Sequence, residues 1–210
     1  MHWMSSVVGE VGWVEVICGG MFSGKTEELI RRLVRARIAR QKVQVFKPRI
    51  DRRYAADQVV SHSGQRIPST EVEDGASILQ LVLPETKAVG IDEAQFFGMD
   101  LVDVVNRLSA EGRRVIVAGL DQDYRGEPFE PVPQLMAIAE SVTKTTAVCV
   151  VCGHPATRTQ RNITESDRVL VGAGDAYEAR CRSCWSPDVL PPAPREDAED
   201  PAHEEGVTAP

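Results

Sequence analysis

Residues Gly19-Gly20-Met21-Phe22-Ser23-Gly24-Lys25-Thr26 spell G-x-x-x-x-G-K-[ST], and no other stretch of the chain leaves so few folds open. Before it runs Trp13-Val14-Glu15-Val16-Ile17-Cys18, a short β-branched run that reads as a buried strand. After it, Glu27 to Ala39 places Leu29, Ile30, Leu33, Val34 and Ile38 at helical spacing. Strand, glycine-rich turn and helix are the context that makes the motif a phosphate-binding loop rather than an ordinary βα turn. In such a loop the backbone N–H groups of residues 19–26 wrap phosphates at a helix N-terminus. Lys25 reaches the β- and γ-phosphates, and the Thr26 hydroxyl is a ligand for Mg²⁺ accompanying ATP.

The rest of the body alternates strands and helices. Lys42 to Lys47 has period two and is closed by Pro48; Arg49 to Asp57 is polar and aperiodic, a loop. Val59 to Ile67 suggests a small hairpin around Ser63-Gly64. A helix is expected from about Ala76 to Leu83, and Lys87 to Ile91 is a short strand that delivers Asp92 and Glu93. Asp100 is expected to cap a helix carrying Leu101, Val102, Val104, Val105 and Leu108. Val115 to Ala118 is another strand, followed by a helix near Gln134 to Glu140 and a last strand over Thr143 to Val148. Helices between strands of this length predict an α/β fold with a doubly wound parallel sheet.

Asp92, at the end of a buried strand downstream of the loop, is the carboxylate expected near Mg²⁺. Glu93 can accept a proton from whatever attacks the γ-phosphate, water in an ATPase or a substrate hydroxyl in a kinase. Cys149-Val150-Val151-Cys152 and Cys181-Arg182-Ser183-Cys184 are paired C-x-x-C knuckles, and four thiolates can close a tetrahedral structural Zn²⁺ site. A pair of disulfides is the rival, and a cytosolic location argues against it. Cys18, the fifth cysteine, reads as core.

Composition removes other classes. The net charge of −7 is concentrated in the last twenty residues, where six carboxylates face only Arg195, and that Pro- and Ala-rich tail is expected to be disordered. The remaining body is near neutral, which gives no electrostatic case for nucleic-acid binding. The basic run Arg31, Arg32, Arg35, Arg37, Arg40 and Lys42 reads as a solvated helix face. No run of 18 apolar residues suggests a membrane span, and Met1 to Ser6 does not resemble a secretory signal, so a cytoplasmic protein is expected.

Five motifs, in order, carry a resemblance. GGMFSGKT, DRRY at Asp51 to Tyr54, Ile91-Asp92-Glu93-Ala94-Gln95-Phe96-Phe97, GLDQDYRGEPF from Gly119 to Phe129, and the paired knuckles together resemble the zinc-containing thymidine kinase family of bacteria and animals, from about Val14 to Trp185. The resemblance implies a P-loop, RecA-like sheet with a small C-terminal zinc-binding lobe and a lasso loop between Cys152 and Cys181. It implies Glu93 as the base for the deoxyribose 5′-hydroxyl, and Lys25, Thr26 and Asp92 in the phosphate and Mg²⁺ roles. Arg53 matches an arginine for the transferring phosphoryl group, with Asp51 near the metal. Met21, Phe96, Leu120, Tyr124, Phe129, Thr159 and Tyr177 match thymine-pocket positions. It further implies ATP and thymidine as substrates, inhibition by dTTP, and a homotetramer.

Three positions depart from the family pattern: Gly20 where a Pro is common, Ser63 where an Asp is common, and Ala173 within a usual Gly-Gly pair. The organisation expected is an extension over 1–10, a kinase domain over 11–148, the lobe over 149–186 and the acidic tail over 187–210. An ATPase using Glu93 on water is the rival enzyme. A nucleotide-dependent nucleic-acid reader is the rival of another class, and the lobe lacks the aromatic and basic interleaving it would need.

Overall fold

The computed structural model describes residues 11–50, 58–60, 66–163 and 176–187. Six strands form one sheet: β1 (Trp13–Cys18), β2 (Val43–Pro48), β5 (Thr70–Val72), β6 (Ala88–Ile91), β7 (Arg114–Gly119) and β8 (Ser141–Lys144). Their order is β5-β2-β6-β7-β1-β8, and every pairing is parallel. Thus β7 lies between the strand leading into the phosphate loop and the strand leading into Asp92-Glu93, in the parallel α/β sheet expected from the sequence. Between β2 and β5, β3 (Gln58–Val60) and β4 (Arg66–Pro68) make the expected antiparallel hairpin.

Period-two alternation assigns each strand residue to one of two helical layers. Val14, Val16 and Cys18 of β1, with Val115 and Val117 of β7, pack under α2 (Gly75–Leu81), α3 (Asp100–Ala110) and α4 (Val132–Ile138). Ile17, Ile116 and Ala118 pack under α1 (Lys25–Ile38) and the hairpin. Cys18 is fully buried, as expected for core, and burial pushes its thiol up to about 11.

The stripe of α1 is Leu29, Ile30, Leu33 and Ala36, not the set expected to include Val34 and Ile38. Ile38 is 77% exposed, because nine residues from Leu29 is about 180° around a helix. Arg32 also departs from the solvated face. Its guanidinium donates to Glu15 Oε2 at 2.7 Å, Glu28 Oε1 at 2.8 Å and Thr143 Oγ1 at 2.9 Å, tying α1 to two strands. Glu15 is buried, which works to raise its pKa, yet hydrogen bonds from Arg114, Trp13 and Arg32 outweigh burial and hold it below the usual range.

Three boundaries differ from the sequence reading. Strand β5 was hidden because three residues between Ser69 and Glu73 are too few to show a period. Asp100 does not cap its own helix: it is the first residue of α3, and its Oδ2 accepts Ala76 N of α2 at 3.2 Å. The last strand is two. Thr145 N and Oγ1 both reach Cys18 O, at 2.8 and 3.1 Å, closing the sheet, and Ala147–Val148 (β9) then pairs with Pro155–Ala156 (β10) in a separate lobe. The lobe's other ladder joins β11 (Arg158–Arg161) to β12 (Tyr177–Arg180).

Candidate active site

In a parallel sheet all strands end on the same edge, and here that edge gathers the loop after β1, Asp92-Glu93 after β6 and Leu120 after β7. Gly24 is the N-cap of α1, with φ +80°, a left-handed conformation that glycine adopts without penalty. It offers no side-chain acceptor to the first turn, and a helix N-terminus opening from such a loop is the kind of cradle that binds an anion. Phe22 also holds positive φ, 63°, which costs a non-glycine residue on the order of 1 kcal/mol. Ser23 Oγ donates to Gly20 O at 2.8 Å and lies 2.8 Å from Thr145 Oγ1; Lys25 Nζ donates to Gly20 O at 2.8 Å.

Register explains how Asp92 meets this loop. Ile91 packs into the α3 layer, so Asp92 must face the α1 layer, where Thr26 lies in the first turn of the helix. Asp92 N extends the ladder to Phe46 O at 3.0 Å, and Thr26 Oγ1 stands 3.3 Å from Asp92 Oδ2. A hydroxyl and a carboxylate at that long separation are the hard oxygen donors that Mg²⁺ takes. Glu93 then leaves the strand in a left-handed conformation, φ 52° and ψ 44°, the kind of local strain that surrounding bonds must hold. Its N–H donates to Asp92 Oδ1 at 3.0 Å. Its carboxylate accepts from Gln95 Nε2, a residue to which the sequence reading gave no role.

The expected pocket positions divide. Leu120 and Phe96 are half-buried near the same edge, whereas Phe97, beside Phe96, belongs to the core. Phe129 is buried, and its N–H donates to Asp121 O at 3.1 Å. Thr159 Oγ1 accepts Met21 N at 3.1 Å, so the lobe touches the phosphate loop directly. Tyr124 and Tyr177 meet through Arg161: its guanidinium lies 3.7 Å from the Tyr124 ring centroid and 5.3 Å from that of Tyr177, and donates to Tyr177 Oη at 2.7 Å. Trp185 Nε1 donates to Tyr124 O at 3.2 Å, and Arg158 stacks on the Trp185 ring while donating to Gln122. Arg158 and Arg161 were missed because polar residues in a short strand give no sign of burial, and Trp185 because a lone aromatic after the last knuckle shows no period. Asp51 and Arg53, with Tyr54, His62, Ser63 and Ala173, lie outside the described residues, while His154 is exposed as expected.

Cys149, Cys152, Cys181 and Cys184 converge, their Sγ atoms all within 4.8 Å of one another and Cys152 and Cys181 3.6 Å apart. Tetrahedral thiolates at about 2.3 Å from Zn²⁺ sit about 3.8 Å apart, so the cluster can hold such an ion. Burial opposes ionisation of Cys149, but backbone N–H groups of residues 181, 151 and 152 hold it down at about 6. Hydrogen bonds with Cys152 and Cys181 push Cys184 up to about 12. Thiols this close stabilise the first thiolates of the set and oppose the last, an opposition that a cation would relieve.

Among the described residues no helix is long and apolar enough to cross a membrane. A family model described as thymidine kinase matches residues 12–185. A protein named thymidine kinase from Rhodothermus sp. (strain ITI 518) is 61% identical over 179 residues, covering 85% of this chain and 84% of that protein. Another of that name, from Bdellovibrio bacteriovorus (strain ATCC 15356 / DSM 50701 / NCIMB 9529 / HD100), is 59% identical over 187 residues, 89% of this chain and 92% of its own length. A match running from the first strand through the last knuckle, over the edge where loop, carboxylates and lobe meet, identifies the chain as belonging to the thymidine kinase family.

Proposed function

We propose that the chain transfers the γ-phosphate of ATP to the 5′-hydroxyl of thymidine, and of deoxyuridine, giving the 5′-monophosphate and ADP in nucleotide salvage. The observation that carries the reading is Glu93, turned out beside Asp92 on the edge where Thr26 lies in the first turn of α1, in a chain of this family. Glu93 takes the 5′-hydroxyl proton as the oxygen attacks the γ-phosphorus; that O–P bond forms while the bond to the β–γ bridging oxygen breaks, and its electron pair leaves with ADP. Lys25 and the amides of residues 19–26 hold the β- and γ-phosphates. Thr26 and Asp92 are the residues that would hold Mg²⁺, which supplies charge neutralisation when bound.

Asp51 and Arg53 carry over from the resemblance, as the metal-side carboxylate and the cation for the transferring group. Met21, Phe96, Leu120, Tyr124, Phe129, Thr159 and Tyr177 form the thymine pocket. The four cysteines hold structural Zn²⁺, a reading the thiol spacing supports, and so anchor both ends of the lasso over the base. Residues 11–148 are the kinase unit and 149–186 the lobe. The working enzyme is a cytoplasmic homotetramer restrained by dTTP, with no nucleic-acid or membrane partner.

Steady-state ADP release tests the reading. Turnover should depend strongly on thymidine or deoxyuridine and hardly on added DNA. Equal turnover without any nucleoside would sink the kinase reading in favour of an ATPase in which Glu93 activates water.

A further inference from the structure

We propose that Gln95 is a positioning residue for the phosphoryl-transfer step: a single side-chain amide holds the Glu93 carboxylate at one end and the Leu120 backbone at the other. The proposal rests on reading Glu93 as the base. Gln95 lies in the 3-10 turn Ala94–Phe96 and is 4% exposed, so its amide is out of water and needs partners at both ends. It has them. Nε2 donates to Glu93 Oε2, and Oε1 accepts Leu120 N at 2.9 Å. The amide's orientation follows from these partners, since an ionised carboxylate only accepts and a backbone N–H only donates; flipping it would break both bonds.

The consequence for geometry is specific. Phe96 N donates to Glu93 O at 3.0 Å and closes the turn, so the left-handed backbone sets the direction in which Glu93 leaves β6. The orientation of the carboxylate is set by its side-chain partners, and Gln95 is one of them. Gln95 selects one orientation and ties it to the exit of β7, the loop that carries Leu120, Tyr124 and Phe129. Base and nucleoside pocket are thereby set by the same group.

Steady-state kinetics of the full chain with ATP and thymidine, for Gln95→Met, Gln95→Glu and Glu93→Gln, decide the matter. Gln95→Met removes the donor to Glu93, so kcat should fall about tenfold or more, the usual worth of a hydrogen bond to a charged group. It should also raise KM for thymidine several-fold, because Leu120 N loses its acceptor. Gln95→Glu keeps that acceptor but sets a second carboxylate against Glu93, so kcat should fall at least as far while KM stays near wild type. Wild-type kcat in both variants, or kcat and KM changed alike in the two, would mean that Gln95 only supports the fold and would overturn the proposal. Should Gln95→Met fail to fold, the kcat-against-KM split of Gln95→Glu decides alone. Glu93→Gln separates the two layers of inference. If it keeps turnover within about threefold of wild type, where loss of a general base costs 10²–10⁴-fold, the base assignment falls and this proposal with it. If it loses turnover while both Gln95 variants keep wild-type kcat, only the role of Gln95 falls.

Discussion

β1 and β11 are both buried, and they are held by opposite means. β1 places Val14, Val16 and Cys18 in one helical layer and Ile17 in the other, with packing that has no required direction. In β11, Arg158, Thr159, Gln160 and Arg161 are all less than a tenth exposed, and they reach rings, backbone groups and the phosphate loop through directed contacts. The lobe's own apolar cluster is small, Ala147, Cys149, Ala156 and Ala179. A region with so little apolar surface needs cross-links, and its four converging thiols are suited to supply one. The sheet tolerates displacement; the lobe depends on each bond.

The largest expected effect tests that dependence. A structural zinc site carries about 10 kcal/mol or more of folding free energy, so Cys149→Ser should unfold the lobe and reduce thymidine-dependent turnover to near background. ATP binding by calorimetry should persist, because the loop belongs to the sheet. Full activity in a metal-free, reduced preparation would erase the contrast.

Next comes the sheet. Leu33 is fully buried against Gly90, where a Cβ would lie 2.6 Å from Leu33 Cδ1, so the two backbones approach only because residue 90 has no side chain. Leu33→Ala should cost about 3 kcal/mol in denaturant unfolding through the cavity it leaves. Metal content and KM for thymidine should not change, and a change in either would show that sheet and lobe fail together.

The smallest effect sharpens the comparison. Arg161→Lys keeps the charge but loses the planar group between Tyr124 and Tyr177, which should cost about 1 kcal/mol. KM for thymidine should rise a few-fold with kcat nearly constant. An unchanged KM would place the Tyr-Arg-Tyr stack outside the nucleoside pocket.

The same contrast explains what the sequence made legible. Burial of apolar side chains leaves periodicity, so β1, β2, β6, β7 and the helices could be read, and the loop and knuckles declared themselves by residue type at fixed spacing. Directed polar burial leaves no period. Arg-Thr-Gln-Arg looks like any exposed stretch until Tyr124, Tyr177, Trp185 and Met21 arrive from distant parts of the chain. Gln95 was hidden similarly, a neutral polar residue between two conspicuous groups, its partner Leu120 brought near only by the pairing of β6 with β7. Arg32 misled in the other direction, because a helical run of arginines hides the one that turns inward to Glu15.

The bond from Met21 N to Thr159 Oγ1 joins the phosphate loop to the cysteine-bearing lobe through one of the loop's own amides. Such a link cannot favour one substrate alone. If a nucleoside seated against Thr159 tightens the hold on ATP by some factor, linkage requires ATP to tighten the hold on the nucleoside by that same factor. Which substrate arrives first is then a question of rates, and any synergy between them would pass through the contact where loop and lobe touch.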